Sequence, residues 1–145
     1  TEVSVPGIDG RKMSKSYNNI IPFLSSEKDL QKSIAKIITN SLEPGEPKEH
    51  KSCTLFQLYS MFANAEEINN MKLSYKDGIG WGDVKKDLFT AINNEIVPIR
   101  EKYHALKEQP DLLNDLFSDG ARKVQPQAQE LVGKLRELVG ISKIV

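Results

Sequence analysis

Val84-Lys85-Lys86-Asp87-Leu88-Phe89-Thr90-Ala91-Ile92-Asn93-Asn94-Glu95-Ile96 sets the fold class. Val84, Leu88, Ile92 and Ile96 fall four residues apart, and Ile99, Tyr103 and Leu106 extend the series in steps of three and four. A half-buried strand repeats every second residue, whereas an α-helix returns to one face every 3.6. The stretch is therefore predicted as one long amphipathic helix, with Pro98 expected to kink it or mark a local break.

Working toward the C-terminus, a second long helix is predicted after Pro110. Leu113, Phe117, Ala121, Val124, Ala128, Leu131, Leu135 and Leu138 form its apolar face, Gly120 and Pro126 weaken it locally, and Gly140 stops it. Toward the N-terminus, Gly78, Gly80 and Gly82 break the chain around Trp81. Before them, a helix is predicted over Ala65 to Tyr75, with Glu66 and Glu67 suited to its N-terminus. Leu55, Leu58, Tyr59 and Phe62 give a further apolar stripe. Thr39 to Ser52, with Pro44, Gly45 and Pro47, can only connect. Ser26 and Asp29 have capping-box spacing ahead of Leu30, Ile34, Ile37 and Ile38. Thr1 to Val5 alternates polar and β-branched residues, as a short strand or its exit would. The class is mainly α: a helical bundle preceded by a short α/β remnant.

The chain's 145 residues carry 20 basic and 20 acidic side chains, so no net charge draws it to nucleic acid or membrane. Phosphate binding would have to come from a local cluster of Lys and Arg. A single cysteine, Cys53, excludes an internal disulfide and suits a reducing compartment. No apolar run approaches the roughly 20 residues needed to span a bilayer. Thr1 in place of an initiating methionine reads as a piece cut from a longer protein.

The chemistry is concentrated at the other end, in Gly10-Arg11-Lys12-Met13-Ser14-Lys15-Ser16. Lys12 and Lys15 stand three apart in a polar segment without helical or strand periodicity. Lysine ammonium groups are mobile point charges with three donors each. On a loop they suit a triphosphate, whose charge shifts as a phosphorus–oxygen bond breaks, and the useful contribution is to charge that grows in the transition state. Ser14 and Ser16 can orient the loop or donate hydrogen bonds. The bland alternative is a solvated basic loop. A Walker A loop is excluded, because no glycine-rich run ends in Gly-Lys-Ser/Thr.

Lys12-Met13-Ser14-Lys15-Ser16 is the signature loop of class I aminoacyl-tRNA synthetases, and its surroundings resemble the bacterial-type tryptophanyl-tRNA synthetases. The resemblance rests on Pro6 to Arg11 before the loop, Tyr17 to Pro22 after it, Thr39-Asn40-Ser41 with Glu43-Pro44, Leu55 to Tyr59 with Phe62, Gly80 to Lys85, Glu101-Lys102-Tyr103, Gly120 to Val124, and Val132 to Gly140. It implies an enzyme that joins tryptophan to ATP, releases pyrophosphate, and passes the tryptophanyl group to its tRNA. Residues 1–24 would be the C-terminal edge of a Rossmann-like catalytic domain carrying the lysine loop, and residues 25–145 a helical domain that receives the anticodon. Lys12 and Lys15 would be catalytic, with Lys15 facing the departing pyrophosphate. The ATP contacts would come from Lys12, Met13, Ser14, Lys15 and Ser16, with Met13 near the adenine. Mg2+ would accompany ATP as substrate, without a dedicated metal site or a tightly bound cofactor. Arg100, Lys102, Lys107, Arg122 and Lys123 are candidates for tRNA phosphates, each against the alternative of a solvated helix face. The family works as a cytoplasmic homodimer away from membranes. The tryptophan pocket and the second ATP signature of the family lie N-terminal to this loop, so the chain alone is expected to be inactive. The rival readings are a tyrosyl-tRNA synthetase, which shares fold and reaction, and a non-catalytic RNA-binding helical module.

Other residues invite over-reading. His50 and Cys53 fall short of the four ligands of a structural zinc site and read as a loop histidine and a part-buried thiol. His104 reads as a surface residue. Trp81, between glycines, reads as packing a corner, and Gly78, Gly80 and Gly82 lack the βαβ context of a dinucleotide fingerprint.

Overall fold

A computed structural model describes residues 4–22 and 24–141. The predicted helices form in the predicted order: α1 (Glu27–Ala35), α2 (Thr54–Tyr59), α3 (Ala65–Lys76), α4 (Trp81–Lys107) and α5 (Pro110–Leu138). The described residues contain no strand, only an isolated antiparallel bridge between Pro6 and Lys12. Most of the expected strand at Thr1 to Val5 lies outside them.

The contacts divide the chain into two compact units, Thr1–Glu101 and Lys102–Val145. In the first, the core is built from Leu30 and Ile34 of α1, Leu55 and Leu58 of α2, Met71 and Tyr75 of α3, and Val84, Leu88 and Ile92 of α4, with Ile21 and Ile37 from the loops. Leu30, Leu55, Tyr75, Val84 and Leu88 are wholly buried. At about 1.5–3 kcal/mol for each fully buried large apolar side chain, these contacts dominate the stability of the unit.

Local chemistry fixes the helix ends. The Ser26 hydroxyl accepts from the Asp29 backbone N–H at 3.2 Å and donates to the Asp29 carboxylate at 2.7 Å, so α1 starts where the cap spacing placed it. It stops at Ala35, earlier than the apolar spacing suggested: Ile37 remains buried, but Ile38 turns outward, 68% exposed, and donates its N–H to the Ile8 carbonyl. Lys85 of α4 donates its ammonium to the Ala35 carbonyl at 2.7 Å, capping α1 from a neighbouring helix, and partial burial lowers its pKa. α3 starts at Ala65, as the sequence predicts, and has a full capping box between Asn64 and Glu67 that adds to the acidic residues at its N-terminus.

The Thr39–Ser52 connection is pinned by one cation. Lys48 is 5% exposed, donates its ammonium to the carbonyls of Glu43 and Glu46 at 2.7 and 3.0 Å, and lies 5.4 Å from the centre of the Trp81 ring. The same connection passes so close to Gly78 that a Cβ there would sit 2.4 Å from the Gly45 carbonyl carbon, and Gly78 itself has φ +84. Only glycine satisfies both conditions. Trp81 packs its corner as expected, edge to face with Tyr75 at 5.9 Å.

α4 runs through Pro98 without a local break, and α5 runs through Pro126. Both prolines are solvent-exposed, so water can satisfy the backbone carbonyl that each leaves without its helical N–H partner. The predicted apolar face of α5 forms but is not buried: Phe117 is 74%, Leu131 59% and Leu138 81% exposed, and no residue of the helix is buried. Its end follows the sequence reading. Gly140 adopts φ +71, its N–H reaches the Glu137 carbonyl at 3.2 Å, and the Ile141 N–H reaches that of Arg136 at 2.9 Å, which is a Schellman ending.

Candidate functional site

The lysine stretch is an ordered loop folded back on itself. Gly7 N–H donates to the Arg11 carbonyl at 2.7 Å, Met13 N–H to Val5 at 2.8 Å, and Ile8 N–H to Asn19 at 3.0 Å. Met13 is half-buried and, with Val5, Ile21, Leu58, Met61, Phe62 and Ile92, lines an apolar cavity of about 130 Å3. The methionine thus anchors the middle of the loop to the helical core.

On either side of that anchor, Lys12 and Lys15 are exposed. Among the described residues neither ammonium takes part in a hydrogen bond or ion pair. Arg11, the third cation of the stretch, is already engaged: its guanidinium meets the Asp9 carboxylate at 2.6 Å and lies 4.6 Å from the centre of the Tyr17 ring. The Asn19 amide first, and then Arg11, hold the Asp9 carboxyl below its ordinary pKa. Arg11 is thus paired within the loop, whereas Lys12 and Lys15 have no such partner among the described residues.

Ser14 shapes the turn that carries Lys15. Its hydroxyl accepts from Ser16 N–H at 3.3 Å and shares a hydrogen bond with the Ser16 hydroxyl at 2.8 Å, capping a single 3-10 turn over Lys15–Tyr17. The turn closes on Asn18, whose φ of 52 is left-handed, a conformation asparagine tolerates better than most residues.

Beneath the loop sits Asn19, 1% exposed. Its side-chain carbonyl accepts from Ser14 N–H at 2.8 Å, and its amide donates to Asp9 Oδ1 at 2.7 Å and to the Lys12 carbonyl at 3.1 Å. This orientation alone matches donors to acceptors. A Cβ on Gly7 would come within 2.5 Å of that side chain, so glycine is required for the close approach. The sequence reading missed both roles. The available signal was a polar residue directly before Ile20-Ile21, where a polar loop runs into the core.

The five residues considered for tRNA phosphates fall in different settings. Lys102, Lys107, Arg122 and Lys123 are exposed in the second unit, with Arg122 paired to Asp119 at 2.6 Å across one helical turn. Arg100 belongs to the first unit and is 8% exposed. It donates to the Asn93 side-chain carbonyl at 3.2 Å and stands 3.8 Å from Glu27, to which Asn93 also donates at 2.9 Å. Glu27 and Asn93 are 66 residues apart, so no local pattern announces this cluster. Of the histidines, His50 packs edge to face on Phe56 at 4.8 Å and His104 is exposed beside Tyr103. Cys53 is half-buried, with its sulfur 3.4 Å from the Tyr75 hydroxyl. Burial, chiefly, pushes the Tyr75 phenol pKa far up. Among the described residues no group of three or more His, Cys, Asp and Glu side chains converges as a metal site would, and no helix is long and apolar enough to cross a membrane.

A loop presenting two exposed lysines, anchored by its methionine to a helical core, is the arrangement expected of a class I synthetase. The family described as tRNA synthetases class I (W and Y) matches residues 1–96, and the chain belongs to it. Within that family its relatives are the tryptophan enzymes. The chain is 43% identical to the tryptophan–tRNA ligase of Pseudomonas aeruginosa over 97% of its own length and 32% of the relative's. It is 44% identical to that of Neisseria meningitidis serogroup A over 93% of its length and 40% of the relative's. The crystal structure of tryptophanyl-tRNA synthetase from Campylobacter jejuni complexed with ADP and tryptophan superposes with a TM-score of 0.87 at 38% identity, covering 95% of this chain and 44% of that one. The chain thus spans 32–44% of the length of these relatives, and the tyrosine alternative is not favoured.

Proposed function

We propose that this chain supplies the lysine loop and the helical tRNA-binding part of an ATP-dependent tryptophan–tRNA ligase. The observation that carries the reading is the pair of exposed ammonium groups of Lys12 and Lys15, without a partner among the described residues, on a loop held by Met13 and Asn19. In the whole enzyme, tryptophan carboxylate attacks the α-phosphorus of ATP, the α–β phosphoanhydride bond breaks, and pyrophosphate leaves. Negative charge grows on the leaving oxygens, and Lys15, with Lys12 beside it, stabilises that growth. Backbone and hydroxyl groups of Met13, Ser14 and Ser16 hold the nucleotide against the loop. Mg2+ arrives with the triphosphate and shares the neutralisation.

Residues 1–24 then belong functionally with the catalytic domain and 25–145 with tRNA. The phosphate contacts are carried by Lys102, Lys107, Arg122 and Lys123. Arg100, held inward by Asn93 and Glu27, serves the fold of the first unit instead. The whole enzyme is a cytoplasmic homodimer, and its partner nucleic acid is the tryptophan tRNA. This chain alone does not form the adenylate.

Tryptophan-dependent exchange of labelled pyrophosphate into ATP tests the reading, with the whole protein that carries this segment and each amino acid in turn. Exchange with tryptophan alone is expected, and Lys15→Ala should lower its kcat by roughly 100-fold or more, the usual scale for removing one preorganised charge-stabilising donor. Exchange with tyrosine would change the substrate. No exchange with any amino acid from a folded protein would favour the non-catalytic RNA-binding module.

A further inference from the structure

The two lysines need more than exposure. Their charges act on the reacting phosphate only if the backbone beneath them is fixed to within about an ångström, since a displacement of that size from a remote change can cost about 100-fold in rate. The loop's own contacts show which side chain does the fixing.

We propose that Asn19 is the positioning residue of the lysine loop, clamping the two peptide groups on either side of Met13 so that Lys12 and Lys15 keep a fixed spacing. The inference rests on the ligase reading above. Asn19 Nδ2 holds the Lys12 carbonyl at 3.1 Å, and Asn19 Oδ1 holds the Ser14 N–H at 2.8 Å. Between these two groups, Met13 N–H is fixed to the Val5 carbonyl at 2.8 Å. Ser14 in turn caps the 3-10 turn that begins at Lys15, so the Asn19 contact to Ser14 is passed directly to the second lysine. The clamp is itself immobilised. Its remaining N–H is held by Asp9 at 2.7 Å, its backbone carbonyl accepts from Ile8 at 3.0 Å, and Gly7 approaches so closely that no other residue type fits there without displacement. A buried amide with both donors and its acceptor engaged is expensive to disturb, because each lost bond leaves an unsatisfied group behind. Asn19 has no ammonium or hydroxyl to offer the nucleotide. Its contribution acts through Lys12 and Lys15 and belongs to the step in which charge develops.

The test uses the whole ligase in the tryptophan-dependent exchange assay, comparing the unaltered protein, Lys15→Ala, Asn19→Ala, Asn19→Asp and Gly7→Ala. Asn19→Ala is expected to lower kcat about 100-fold while KM for tryptophan stays within twofold; its melting temperature falls, since buried partners are left unsatisfied, but the protein stays folded at the assay temperature. Asn19→Asp keeps the acceptor for Ser14 but sets a carboxylate against Asp9 and the Lys12 carbonyl, so its kcat should fall at least as far. Gly7→Ala keeps the Asn19 side chain but sets a Cβ within 2.5 Å of its amide and its backbone carbonyl, displacing the clamp, and should reproduce the same split between kcat and KM. It also stands as the independent variant if Asn19→Ala fails to fold. A kcat within threefold of the unaltered value in Asn19→Ala or in folded Gly7→Ala, with Lys15→Ala inactive, overturns this inference alone. So does a matched loss of kcat, tryptophan binding and thermal stability, which would mark a structural role only. Absence of exchange in the unaltered protein overturns the ligase reading, and this inference with it.

Discussion

α4 and α5 carry the same three-and-four apolar spacing over 27 and 29 residues, yet α4 buries Val84, Leu88, Ile92 and Ile96 whereas α5 buries none of its residues. The periodicity of a helix says which of its faces is apolar and nothing about what meets that face. In the first unit the partners are present in the chain: α1, α2 and α3 each contribute buried apolar residues to the core that receives the α4 stripe. In the second, α5 carries its stripe along its whole described length with Leu116, Phe117, Val124, Leu131, Leu135 and Leu138 all more than half exposed. The hydrophobic effect stabilises only area that is removed from water, so equal patterns give unequal energies.

The largest effect that could break this comparison is in the cores. Leu88→Ala should destabilise the first unit by about 2–5 kcal/mol, the usual cost of a large-to-small change at a wholly buried position. Phe117→Ala, on a ring 74% exposed, should stay within about 0.5 kcal/mol. Urea unfolding of the chain, with both variants beside the parent, reads the difference. Equal costs would mean that the α5 stripe is buried in solution. The helix starts provide a smaller contrast: α3 has a capping box at Asn64, whereas no side chain caps α5 at Gln109. Asn64→Ala should cost about 1 kcal/mol, and Gln109→Ala only a few tenths, by the same denaturation measurement.

The smallest effect concerns the Thr39–Ser52 connection. The Ser52 hydroxyl, the Ser52 N–H and the Lys51 N–H hold the Glu49 carboxyl at a pKa of about 2, against an ordinary value of 4.5. A carboxylate whose pKa is depressed on folding stabilises the fold above its unfolded pKa and loses that contribution as pH falls through the folded value. The Glu49 turn should therefore loosen between about pH 4.5 and about 2, and not on the alkaline side. Carboxyl NMR titration, with exchange of the Lys51 and Ser52 amides followed over the same range, checks this. A Glu49 midpoint near 4.5 would show the turn open in solution.

What could be read from the sequence divides along a physical line. Signals confined to a few neighbouring residues were legible: the Ser26 cap, the Gly140 ending, the proline start of α5, and the Lys12 to Ser16 loop. So was the buried stripe of α4. Asn64 with Glu67 was equally local and simply went unread. Other features depend on groups far apart in the chain. Ile38 follows the helical spacing, but the helix ends at Ala35, so the spacing no longer points inward. Arg100 looked like a free cation because Glu27 and Asn93, which hold it, approach only on folding. Pro98 pointed to a kink or a break because the penalty for a helical proline is read locally, whereas its tolerance depends on exposure to water. In the candidate site, the lysines could be named from their spacing. The Asn19 clamp beneath them could not, because a buried amide's role is defined by its bonding partners.

Trp81 is the only tryptophan in the chain, and it lies in the first unit between the Tyr75 ring and the Lys48 ammonium. Its emission is therefore a local optical reporter of the first unit's core, whereas far-ultraviolet dichroism is weighted by every helical residue, including the 29 of α5. The two signals sample different parts of one polymer. Their coincidence or separation along a melting curve measures directly whether the chain unfolds as one cooperative body or as two.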